Sequence, residues 1–122
     1  MNDKINLARK LAGFEETWVP KVVAELNGQF VKVVKVRGEY VRHHHDEEDE
    51  LFLVLKGHMD IHLPDGVVGL DEGELYVVPR GVEHKPVAED YAEVLLFEPS
   101  STRNTGNVDH DYTIEAENLE RI

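Results

Sequence analysis

Short β-rich runs separated by turn residues fill the chain from Val22 to Phe97, and this texture constrains the fold more than any other feature. Phe30–Val36 lies between Asn27-Gly28 and Arg37-Gly38, and Tyr40–His45 and Glu50–Lys56 follow, the latter ended by Gly57. His58–Leu63 alternates: Met59, Ile61 and Leu63 are expected to face inward, and His58, Asp60 and His62 to face solvent. Pro64-Asp65-Gly66 is a turn in which proline presets φ and glycine permits a positive one. Val67–Leu70, Leu75–Val78, His84–Ala88 and Ala92–Phe97 complete the set, with Pro79-Arg80-Gly81 as an interruption. Eight or more such runs indicate an all-β antiparallel sandwich or barrel.

Around this core, residues 3–13 read as a short helix capped by Asp3 and stopped by Gly13. Phe14, Trp18 and Pro20 form an irregular connector. Ser100–Asn107 reads as an extended surface loop, and Thr113–Arg121 as a mobile tail or short helix. The 122 residues suit one domain, 1–122, with 41% hydrophobic content sufficient for a core. Thirteen basic and 25 acidic residues leave a net charge of −12, which disfavours nucleic acid and anionic membranes as partners. Without cysteine there is no disulfide scaffold, thiol chemistry or cysteine-bound zinc. Met1-Asn2-Asp3-Lys4 leads into no apolar signal core, and no stretch approaches the roughly 20 apolar residues of a membrane span, so a cytoplasmic protein is expected.

The chemistry concentrates in Arg42-His43-His44-His45-Asp46-Glu47-Glu48-Asp49-Glu50, directly before the apolar Leu51–Leu55. On a strand, His43 and His45 leave the same face roughly 7 Å apart, close enough for their rings to converge on one ion. His44 then points away, and Val41 shares the ligand face. Glu50 stands where the next strand begins, on the face of Phe52 and Val54; Asp49 faces the other way, and Asp46, Glu47 and Glu48 make a solvated turn. Histidines with one carboxylate suit manganese, iron, nickel or zinc.

Gly38-x4-His43-x-His45-x4-Glu50-x6-Gly57 resembles the first signature of the cupin superfamily, and Gly73-x5-Pro79-x-Gly81-x2-His84 resembles the second. Two departures stand out. The first signature usually has five residues between its glycine and first histidine, a count that would select His44 and Asp46. An asparagine that often closes the second is here Ala88. The resemblance covers about residues 28–98 and implies a cupin double-stranded β-helix, a jelly-roll barrel. It also implies that His84 joins His43, His45 and Glu50 as a three-histidine, one-glutamate site for a divalent transition metal. Similarity is greatest to small cupins of the sugar-phosphate-isomerase type.

His58, His62 and His110 read as solvated. Arg42, Tyr76, Arg80 and Lys85 are candidates for orienting an anionic substrate, and Tyr40, Phe52, Val54, Met59 and Val77 for lining a pocket. Three functions remain open: a metal-dependent isomerase, dioxygenase or decarboxylase of a small molecule; a non-catalytic module binding a sugar or organic acid; and a structural barrel. The resemblance further implies a homodimer, covered by the connector around Trp18 and the strand Phe30–Val36.

Overall fold

The computed structural model describes residues 3–122; Met1 and Asn2, where the reading for a signal core begins, lie outside them. Helix α1 (Leu7–Ala12) is followed by strands β1 (Lys21–Leu26), β2 (Gln29–Glu39), β3 (Glu50–Gly57), β4 (Met59–Leu63), β5 (Gly66–Leu70), β6 (Leu75–Val78), β7 (Lys85–Pro99) and β8 (Glu120–Arg121). The expected all-β jelly roll is found. The helix is shorter than expected and is capped by Asn6, not Asp3: Asn6 Oδ1 accepts the Arg9 N–H at 3.0 Å.

Strand β7 organises the barrel. Its 15 residues join two runs that the sequence separates, and it pairs antiparallel with β2, β3 and β4. Pro86 and Val87 pair with β4, while Ala92–Phe97 pair with both β2 and β3. Between them the register slips opposite Arg37, whose guanidinium donates to the Asp90 carbonyl, and the strand bends from pairing with β4 to pairing with β3. Gly57 permits that bend. It has φ +82°, and a Cβ there would lie 2.3 Å from the Tyr91 carbonyl oxygen.

Alternation along the strands produces two cores. Val34, Val36, Phe52, Val54, Met59, Ile61, Val94 and Leu96 fill the barrel. Leu11 of α1 packs with Val23 and Val33 on the outer face of β1 and β2, adding Phe14 and Ile122. Burying these side chains contributes about 1.5–3 kcal/mol each before chain entropy is counted.

Two expectations are corrected. Tyr40–His45 is not a strand. It is an extended segment with one isolated bridge, His43 to His84, because Pro86 has no N–H to extend the ladder and the His44 N–H is taken by Asn107. The tail is tied down: after a 3-10 turn at Ala116–Asn118, β8 pairs in parallel with β1. Within the chain, β1 and β7 occupy both edges of β2 and Trp18 is buried. Among the described residues no helix is long and apolar enough to cross a membrane.

Candidate metal centre

His43 and His84 face each other across the isolated bridge, joined by two backbone hydrogen bonds of 3.0 and 2.8 Å. His45 follows two residues on, with its carbonyl accepting the Gly81 N–H at 2.7 Å. Glu50 opens β3 opposite Val78, which turns its side chain inward with Phe52 and Val54. One ligand atom from each of His43, His45, Glu50 and His84 lies within 4.8 Å of the other three, and all four side chains are buried. The structure thus brings together the four residues expected, and the parity expected of His43, His44 and His45 survives although the segment is not a regular strand.

Their hydrogen bonds leave the set open toward one point. His43 Nδ1 is held by the Val41 carbonyl at 2.8 Å and His84 Nδ1 by the Val82 carbonyl at 3.0 Å. These contacts orient the rings and turn each Nε2 toward the cluster, where His84 Nε2 lies 3.2 Å from Glu50 Oε1; such outer support is usual for metal-bound histidine. Buried His43 Nε2 and His45 Nε2 have no hydrogen-bond partner; His45 Nε2 lies 3.3 Å from Glu50 Oε1 without hydrogen-bond geometry. Buried polar atoms left unpaired are costly, and a divalent ion is the simple way to satisfy two imidazole nitrogens beside a carboxylate. Burial pushes the His43 pKa down to about 4, helped by neighbouring His84, so the ring stays neutral and competent to bind. Burial opposes ionisation of Glu50, but the adjoining His45 and His84 imidazoles outweigh it and hold the carboxyl well below its usual range.

The cluster opens onto a cavity of about 40 Å³. Its walls include Val34, Val36, Tyr40, Phe52, Met59 and Leu96, and Trp18 stacks on Tyr40 at 4.6 Å to roof it. Tyr40, Phe52 and Met59 are lining residues, as expected. Val54 belongs to the core, whereas Val77 is 44% exposed on the barrel's outside. The basic candidates also lie outside the cavity lining. Arg80 pairs with Asp49, Lys85 with Glu39 and Arg42 with Glu83 at 3.7 Å, and Tyr76 packs against the core. His58 is half exposed, clamped between Asp60 and Asp71.

One pair escaped the sequence reading. Lys32 and Glu98 are at most 1% exposed and form an ion pair of 2.7 Å beside Glu50, with Glu98 Oε2 left unpartnered. Burial and the neighbouring Glu50 charge push the Glu98 carboxyl well above its usual range, with Lys32 pulling the other way. The signal was present as parity: Lys32 shares a face with Val34 and Val36, and Glu98 with Val94 and Leu96, so both had to point inward.

Residues 30–98 match the family model described as a cupin domain. A cupin-2 domain protein from Shewanella frigidimarina is 43% identical and superposes with a TM-score of 0.77, covering 78% of this chain and 93% of that one. Protein NMB1881 from Neisseria meningitidis is 33% identical with a TM-score of 0.73, over 80% and 99% of the two chains. The Bacillus subtilis protein YdbB is 34% identical over 64 residues, 52% of this chain, and the match spans 57% of YdbB. The match over most of the barrel, the jelly-roll topology and these relatives together establish that the chain belongs to the cupin family.

Proposed function

We propose that this cupin holds one divalent transition metal on His43, His45, Glu50 and His84, and that it binds or acts on a small molecule in the adjoining cavity. Four buried donor atoms within 4.8 Å, two of them imidazole nitrogens with no other partner, carry this reading. The donor set fits manganese, iron, nickel or zinc. When bound, such an ion supplies Lewis-acid chemistry and acidifies a coordinated water. The chain's own part is to orient the rings through Val41 and Val82, to wall the cavity with the Trp18–Tyr40 stack, and to place Glu98 beside Glu50. A cavity of about 40 Å³ has room for about three waters at ~10–15 Å³ each, so a ligand of only a few heavy atoms fits without displacing the roof.

Elemental analysis of protein purified without nickel resin tests the metal. Roughly one transition-metal ion per chain is expected in wild type. Near-zero content is expected in His84→Ala and Glu50→Ala, and a metal-free wild type would overturn the reading. A second reading, a binding module without turnover, is supported by the mainly apolar lining, in which Asn104 is spent on Tyr112 and Ile114 and, beside the four-residue cluster, Glu98 Oε2 is the unpartnered polar atom. Turnover in a substrate screen of the iron, manganese, nickel and zinc forms would exclude it.

A further inference from the structure

Residues 102–113 lie beyond the matched family residues and read in the sequence as surface loop and tail, yet they fold onto the metal cluster. Thr102 and Thr105 are fully buried and Asn104 nearly so. Thr105 Oγ1 donates to the Val108 carbonyl at 2.8 Å and lies 2.6 Å from Thr113 Oγ1. Asn104 donates to the Tyr112 carbonyl and accepts the Ile114 N–H, both at 2.8 Å. Arg103 donates to the carbonyls of Gly106 and Val108. The segment is therefore a self-braced loop, and Tyr112 at its far end lies parallel to Tyr40 at 5.6 Å.

Its corner, Gly106-Asn107, meets the ligand segment directly. Asn107 donates its N–H to the His44 carbonyl at 3.1 Å, and Asn107 Oδ1 accepts the His44 N–H at 2.9 Å. Gly106 has φ +54°; a Cβ there would stand 2.1 Å from the His44 carbonyl oxygen and 2.9 Å from His43 Cδ2. The loop backbone thus touches the edge of the His43 ring, while Val41 holds Nδ1 and Tyr40 packs edge-on at 5.6 Å. This support matters because His43–His45 has no ladder of its own beyond the single bridge to His84.

We propose that residues 102–113 are a clasp belonging to the metal centre, in which Gly106 and Asn107 are positioning residues that set the His43 ring as a ligand. The inference rests on the metal reading of the four-residue cluster. Removing such outer support lowers metal affinity about 10–100-fold in comparable sites. The test is titration of the metal-free protein with zinc against a chelator, together with the visible spectrum of the cobalt(II) form. The variants are Asn107→Ala, Asn107→Asp and Gly106→Ala, with Gly28→Ala as control, since Gly28 has φ +75° but open space around it.

Asn107→Ala and Gly106→Ala should bind zinc about 10–100-fold more weakly and shift the cobalt bands. Asn107→Asp, which keeps an acceptor oxygen for the His44 N–H, should recover most of the affinity. Gly28→Ala should lose thermal stability but bind as wild type. Variants that bind within about twofold of wild type, with unchanged cobalt bands, would overturn the clasp while leaving the metal site standing. A wild type that binds neither ion would overturn both. If Gly106→Ala does not fold, the Asn107 pair decides.

Discussion

Replacing Lys32 with methionine should be among the most damaging single substitutions in the barrel, out of proportion to the small change in shape. Lys32 and Glu98 are buried to within 1% and separated by 2.7 Å, so neither charge is screened by solvent. Methionine fills much of the lysine stem's volume, which confines the loss to the electrostatics. Glu98 would then sit beside Glu50 with no cation, and leaving a buried charge uncompensated costs about 3–5 kcal/mol. Against a total stability of about 5–15 kcal/mol, that is a fall in thermal midpoint of roughly 10–25 °C. Urea unfolding of the metal-free protein measures it. The pH dependence has a definite sign. Without Lys32 the folded-state pKa of Glu98 rises further above its unfolded value, so stability is lost as pH rises and the penalty is greatest near neutrality. Lys32→Met combined with Glu98→Leu should regain most of the loss, because an apolar pair can replace a buried ion pair at little cost. The exposed pair Lys85–Glu39, equally short at 2.6 Å, is the control, and Glu39→Ala should leave the midpoint nearly unchanged. A penalty for Lys32→Met below about 1 kcal/mol, or one that grows on acidification, would refute the reasoning.

Three further outcomes are expected. Zinc at a thousandfold over its dissociation constant should raise the unfolding free energy of wild type by about 4 kcal/mol, and calorimetry should find no such gain in His84→Ala. The folded pKa of His43, about 4, lies below its unfolded value of about 6.5, so its contribution is whole above pH 6.5 and is lost as pH falls toward 4. That contribution is roughly 3 kcal/mol at ~1.4 kcal/mol per pH unit, and it should appear as the difference in acid urea curves between metal-free wild type and His43→Gln; parallel curves would count against it. The difference is the right measure because Glu98, held above its usual range, works in the opposite sense. Gly57→Ala should unfold at markedly lower temperature than Gly73→Ala: both glycines are left-handed, but only at Gly57 would a Cβ meet backbone, the Tyr91 carbonyl oxygen at 2.3 Å.

The sequence by itself determined the local terms. Alternating apolar positions and turn residues specified a barrel of short strands, and the spacing from His43 to Glu50 placed three candidate ligands with the correct facing. The resemblance in the second signature added His84. These features were legible because side-chain direction repeats every two residues along extended chain, whatever the strand pairs with. Parity also directed Lys32 and Glu98 inward, but their charges made solvated faces the natural reading, and only the closed barrel shows that each is the other's counter-ion.

Tertiary structure alone decided the rest. Residues 85–88 and 92–97 became one bent strand because β2, β3 and β4 all pair with it across a register slip that no local signal marks. Trp18 became a stacking partner of Tyr40, and the polar segment 102–113 became the support of His43, because nonlocal partners satisfy their backbone and side-chain groups. Polar loops look alike in sequence whether water or the protein fills their hydrogen bonds. What distinguishes this one is that its partner, His44, lies more than sixty residues away along the chain and within 3 Å in space.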